Sequence, residues 1–299
     1  MSWFTPSGES PLTSKEAIIQ AGLNWPVELK ELKTIDDLPI EGFRAVMRGT
    51  DKSTLGVVRD RYRPVQNEDA FTFMDSLVAS GEMKYQTAGS FSNGKKVWLL
   101  GKIGEFEPVP NDEVGKYLLF YNTHDGTGSL RALFTAIRVV CENTLRLALS
   151  QGKDEGLRLK HTVNIMNHLT EAKAILGLAD KSFVKYEAEA KLLAGKQLDV
   201  KMFDSFLKQL FPDPPKDISP VRVERTRAKI TELFESGKGQ DIVNVSGTAW
   251  AAEAAIVEFV NYHKTVRGAS DPQSRRLESS LLGTSATLID TARQLLLAA

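Results

Sequence analysis

The 299 residues carry 38 Lys plus Arg against 38 Asp plus Glu, a formal net charge of zero, with 42% hydrophobic and 25% charged residues. That balance suits a globular chain of one large or two ordinary domains. It excludes attraction to polyanions by net charge, so any nucleic-acid affinity has to come from a local patch. A lone cysteine, Cys141, leaves no intrachain disulfide, the start lacks the basic and apolar regions of a signal peptide, and no run nears the length of a membrane span; the expectation is a cytoplasmic protein.

Residues 1–30 read as an N-terminal arm. Thr13 or Ser14 is a helix N-cap, and the short helix runs to about Ala21 before Gly22. Trp3, Phe4 and Trp25 are a large apolar payload that needs a surface to cover.

Residues 31–152 read as an α+β core domain, an antiparallel sheet with helices on one face. Phe43–Arg48 and Thr54–Val58 flank the turn-forming Gly49–Ser53 and predict a hairpin. Asn67–Val78 has an Asn cap, early acids and one apolar face, hence a helix. Lys84–Phe91 and Lys96–Ile103 enclose Asn93-Gly94, the strongest short-range hairpin signal. Tyr117–Tyr121 is a further strand. It breaks into the polar loop Asn122–Ser129, and a helix is expected from about Leu130 to Ser150, its N-terminus an anion receptor.

Residues 153–299 read as mainly helical: Glu155–Leu176, Asp180–Ala194, Val200–Phe211, Pro220–Ser236, Thr248–Lys264 and Ser274–Ala298. The proline-rich loop at 212–220 cannot be helical, because its prolines lack donors and restrict the residues before them.

Two constellations carry chemistry. Arg44, Arg48, Lys52, Arg59, Arg61 and Arg63 fall on or beside the first hairpin, with Lys95 and Lys96 at the tip of the second and Tyr62 and Tyr85 interleaved. Cations on neighbouring ribbons with aromatic platforms are what sequence-tolerant single-strand binding requires, although such charges also occur as a solvated strand face. On the expected 130–150 helix, Arg131 and Arg138 share a face, with Arg146 two turns on. Asn143 is read there as a buried, internally paired residue and Cys141 as a small buried hydrophobe. His161 and His168 gain no third ligand, and phosphate-loop and dinucleotide motifs are absent, so no metal, cofactor or catalytic group is expected. An enzymatic alternative places His124, Asp125 and Arg131 at a phosphoryl or nucleotide site.

Arg138-Val139-Val140-Cys141-Glu142-Asn143-Thr144-Leu145 resembles the bacterial, phage and plasmid domain-of-unknown-function family labelled phage/plasmid-like protein. So do Glu16–Val27, Arg61–Phe71, Thr123–Gly126, Gly247–Trp250, Glu258–Val260 with His263, and Arg275–Ser279. The element order is also similar, more loosely, to the phage single-strand annealing proteins of the Red beta and Erf type. The family resemblance implies a phage or plasmid context, and with the basic constellation and the looser likeness the expectation is a non-catalytic, single-stranded DNA-binding or annealing protein of a mobile element, acting as a homo-oligomer in recombination or replication. The other reading is a self-assembling structural or interaction protein.

Overall fold

The computed structural model describes residues 11–126, 130–147, 157–158 and 165–299. Thr13 caps α1 (Ser14–Gln20): its hydroxyl accepts from Glu16 N–H while the Glu16 carboxylate returns to the Thr13 N–H, a reciprocal capping box. Next comes a three-stranded antiparallel sheet of β1 (Val27–Lys33), β2 (Pro39–Arg48) and β3 (Thr54–Arg59) in that order. The β2–β3 turn closes through Arg48 N–H to Ser53 O, and the Asp51 carboxylate accepts from the Ser53 N–H and hydroxyl.

A second sheet runs β4 (Lys84–Phe91), β5 (Lys96–Phe106), β6 (Val114–Thr123), β7 (Arg131–Arg138) and β8 (Asn143–Arg146), with β9 (Leu157–Arg158) on β7. Ser92, Asn93 and Gly94 all take positive φ in the β4–β5 turn, so the Asn-Gly signal gives the expected hairpin.

The remainder is helical: α2 (Asp75–Ala79), α3 (Ile165–Ala194), α4 (Val200–Leu210), α5 (Val221–Ser236), α6 (Ala249–Glu258) continuing as a π turn over Phe259–His263, α7 (Pro272–Leu282) and α8 (Thr284–Ala298). The fold is therefore α+β, with antiparallel sheets and a mainly helical C-terminal half.

Where a helix is expected over 130–150, the described residues form two strands, and 148–150 lie outside them. Residues 132–138 of β7 and all of β8 are buried, and they pair antiparallel with Arg138 opposite Asn143 and Ala136 opposite Leu145. A strand covered on both faces loses its alternation and reads as a continuous apolar run, which periodicity does not separate from a helix. The turn between them needs Glu142 at φ 56°, a value no helix contains. The anion-binding helix N-terminus after the polar loop is accordingly absent, and Thr127, Gly128 and Ser129 lie outside the described residues.

Other differences are smaller. The expected Asn67–Val78 helix shrinks to a 3-10 turn at Thr72–Met74 and α2, because Asn67 spends its side chain on distant partners instead of capping. β1 crosses the boundary expected at 30 between arm and core: its Glu-Leu-Lys-Glu-Leu-Lys run spaces leucines three apart and conceals an edge strand. The expected Glu155–Leu176 and Asp180–Ala194 helices are one, α3, which the structure describes from Ile165; Leu157–Arg158 of the first is the strand β9, and 155–156 and 159–164 lie outside the described residues, while the expected Ser274–Ala298 helix breaks at Gly283.

The chain clusters into two units, one from residues 1–103, 117–134 and 155–179, the other from 104–116, 135–154 and 180–299. This interleaving does not follow the boundary expected at 152, because β5, β6, β7 and α3 each give residues to both.

In the first unit, Gly56 of β3 sits where a Cβ would lie 2.5 Å from Asp125 Cα. Gly56→Ala should push the loop after β6 from β3 and cost about 1–3 kcal/mol in urea denaturation; an unchanged midpoint would show that this close approach does not matter.

Candidate nucleic-acid interface

The first unit builds its polar end around His124, which follows β6. The His124 N–H donates to Lys95 O at 2.7 Å, tying the loop to the β4–β5 hairpin tip. Its Nε2 lies 2.7 Å from Asn67 Oδ1, and Asn67 Nδ2 donates to Leu23 O at 2.7 Å. Because the Asn67 amide is oriented by Leu23, its oxygen faces the ring, so Nε2 carries the hydrogen and Nδ1 is a buried acceptor without a partner among the described residues. Burial pushes the His124 pKa down to about 4, against a smaller opposing pull from Asp125. The imidazole is fully buried and neutral at pH 7, which removes it as a surface acid or base.

Trp25 meets the His124 ring edge-on at 5.7 Å and so covers this site, while Trp3 and Phe4 lie outside the described residues. Over Trp25 lies the Arg48 guanidinium, 4.7 Å from the ring centroid, which also donates to Asn93 O and pairs with Asp51 at 3.2 Å. The Tyr62 hydroxyl donates to Thr123 O at 3.3 Å, and Asn122 Nδ2 to Val65 O at 3.5 Å. The segment after β3, the hairpin tip and the loop after β6 are thus laced together within a few residues.

The expected site residues separate into three sets. Arg59, Arg61, Arg63 and Lys95 are exposed, and Tyr62 and Lys96 are half-buried beside them. Arg59 covers the Phe43 ring at 4.4 Å, and Arg63 donates to Asp60 O and Tyr62 O. A second set is engaged with acids: Arg44 with Glu31 at 3.6 Å, Lys52 with Glu28 at 3.4 Å, and Arg48 as above. Register places Arg44 opposite Val58 and Phe43 opposite Arg59, so Arg44 and Arg59 point to opposite faces of the sheet. One continuous trough containing both is not formed.

The third set is interior. Tyr85 is fully buried, its hydroxyl donating to Asp75 Oδ1 at 2.6 Å, and the same carboxylate takes the Ser14 N–H at 2.7 Å. Its ring anchors α1 to α2 and offers no face to a base. In the second unit, Arg138 is 4% exposed, with Nε donating to Asp112 Oδ1 at 2.6 Å and Nη2 to Gly239 O at 2.9 Å. Trp250 Nε1 donates to the other Asp112 oxygen at 2.7 Å. Arg138 is therefore a structural cation, not a phosphate contact. Arg131 is half-buried and, seven residues away on a strand, points to the opposite face from Arg138.

Asn143 donates to Ala254 O at 3.0 Å, which bears out its reading as a buried fixing residue. Cys141 is buried and its thiol is pushed up to about 11 by desolvation, so it is no nucleophile. Sequence reasoning missed Asp112, Asn67 and the second buried pair, Arg293 Nε to Glu253 Oε1 at 2.6 Å. Nothing local marks them, since each partner is distant in sequence. A cavity of about 20 Å³ beside Arg138, Asn143 and Glu253 is of water size, too small for a ligand. Among the described residues no metal-binding group of three or more side chains occurs, and no helix is long and apolar enough to cross a membrane.

A family profile described as a domain of unknown function, DUF932, matches residues 54–281. The chain belongs to the DUF932 family. The DUF932 span contains Arg59–Arg63, Lys95, Lys96, His124 and Arg138, whereas Arg44, Arg48 and Lys52 precede it. Neither the curated proteins nor the solved structures hold a match to this chain.

Two outcomes follow from the buried polar groups. With the folded His124 pKa near 4 and the ordinary value near 6.5, the unfolded chain takes its proton first. Its contribution is intact above about pH 6.5 and lost as pH falls towards 4, by about 3 kcal/mol in total. Urea titrations across that window should show the loss, and His124→Gln should flatten that part of the curve; an equal slope in the variant would clear His124. Asp112→Ala strands a buried guanidinium and should cost roughly 3–5 kcal/mol, most of it recovered in the double variant Asp112→Leu/Arg138→Met. Additive losses in that pair would show that the two side chains are not coupled.

Proposed function

We propose that this DUF932 chain binds single-stranded nucleic acid, DNA in the first place, without catalysing a reaction on it. It does so as a homo-oligomer serving recombination or replication of a phage or plasmid. One observation carries the reading: Lys95 and Tyr62 are both bonded to consecutive residues of one loop, through Lys95 O to His124 N–H and the Tyr62 hydroxyl to Thr123 O. Those two bonds gather the exposed Arg59, Arg61, Arg63 and Lys95 around a half-buried aromatic ring.

Cations held this way neutralise phosphates without reading base edges, so binding is tolerant of sequence, and the tyrosine face supplies stacking. A net charge of zero confines that attraction to this end of the first unit. The annealing role, and the kinship with phage and plasmid proteins, rest on the motif resemblance alone.

A second reading, self-assembly without nucleic acid, is favoured by the far end of the β1–β2 hairpin. There Ile35 is wholly exposed and Leu38 is 62% exposed. Apolar side chains at a projecting tip mark a protein contact.

Fluorescence anisotropy with a labelled oligothymidylate over a salt series separates the two. The native chain should bind with log K falling against log salt, and Arg59→Ala/Arg61→Ala/Arg63→Ala should lower that slope by about 2. No binding at low salt, or a slope that the triple variant leaves unchanged, refutes the interface.

A further inference from the structure

Two stretches noted in the sequence have no part in the polyanion reading: the one ending at His263, just before Lys264, and Arg275–Ser279. The second unit brings them together at the turn between α7 and α8. Lys264 Nζ lies 2.8 Å from Ser285 Oγ, and Ser279 Oγ lies 2.9 Å from the same Ser285 oxygen. Lysine, serine and serine therefore form a hydrogen-bonded chain whose inner member, Ser285, is 1% exposed and whose outer member, Ser279, is half-buried.

The lysine is placed unusually. It is half-buried, and its ammonium has no carboxylate partner among the described residues. The charged groups around it are cations: Arg222 of α5, and Arg276 of α7, whose Nη1 reaches Lys264 O. Facing it from α8 is the neutral Ser285. Burial, and then Arg222, hold the Lys264 pKa below its ordinary value, which favours the neutral amine that a proton acceptor must be.

The surroundings of Ser279 suit a nucleophile. A Cβ on Gly283 would fall 3.1 Å from Ser279 Cα and 3.3 Å from its Oγ, so glycine keeps the oxygen uncovered. α8 begins at Thr284 without a side-chain cap, and the first N–H groups of a helix have no intrahelical acceptor. Of these, the Ala286 N–H donates to Gly283 O, and the uncapped helix end next to Gly283 places partial positive charge near Ser279, the sign a developing oxyanion needs.

We propose that Ser279, Ser285 and Lys264 form an acyl-transfer site acting on small carboxylic esters, with Ser279 as the nucleophile. Ser279 Oγ bonds to the carbonyl carbon as its proton passes to Ser285 Oγ, and the proton of Ser285 passes to neutral Lys264 Nζ. Collapse of the tetrahedral adduct breaks the bond to the alcohol, which leaves with the proton returned through the relay. Water then attacks the acyl-serine along the same path, releasing the acid and restoring Ser279. Ser279 is the catalytic residue; Lys264 acts through Ser285.

The test is labelling of the full native chain with a fluorophosphonate probe, followed by peptide mass mapping. An adduct on Ser279 is expected, forming faster as pH rises through the lysine titration. Ser285→Ala and Lys264→Met should each slow labelling roughly a hundredfold and abolish that pH dependence, with circular dichroism unchanged. Ser274→Ala, on the same helix but outside the relay, should label like the native chain. The proposal is overturned by a native chain that shows no adduct on Ser279, or by labelling that Lys264→Met leaves equally fast with the same pH profile.

Discussion

Residues 117–123 of β6 and 132–138 of β7 are buried without alternation, so the polar side chains there and next to them draw their partners from inside the protein. This requirement organises much of the structure. In the second unit it brings Asp112 to Arg138, then Trp250 and Gly239 to the same pair, and Thr135 Oγ1 to Leu145 O. In the first unit it draws Asn67 to His124 and Val65 to Asn122. Removing one partner leaves a desolvated charge or donor, which costs more than a surface pair ever contributes.

The interior matching also determines which cations remain for solvent. Arg138 is consumed by Asp112, and Arg44, Arg48 and Lys52 each find an acid nearby. The exposed remainder in the candidate set, Arg59, Arg61, Arg63 and Lys95, borders the loop that β6 delivers. An interface proposed on charge therefore depends on bookkeeping inside the protein as much as on its surface. A neutral chain can present a basic end only where the acids are engaged elsewhere.

Legibility in the sequence followed how local the physics is. The Asn93-Gly94 hairpin, the Thr13 cap and the α4, α5 and α6 helices depend on neighbours within a turn or two, and they stand close to where patterning put them. β7 and β8 were hidden because burial on both faces erases the period that distinguishes strand from helix. β1 was hidden because its leucines fall three apart on a charged edge strand. The site divided in the same way: the basic residues were legible as types, but the interior role of Tyr85 depends on Asp75 and Ser14, which only the fold assembles. His124 was visible as a polar loop residue, but its neutrality comes from burial and its ring is held by Asn67, fifty-seven positions away, neither of which the local sequence shows.

Photo-cross-linking tests the central claim most directly, with the native chain bound to a bromodeoxyuridine oligonucleotide and the adducts mapped by peptide sequencing. The account predicts adducts on Tyr62 and on the Ser92–Lys96 hairpin tip, with none on Tyr85 or Arg138 themselves. Adducts on either of those interior residues, or none anywhere in the first unit, would contradict it.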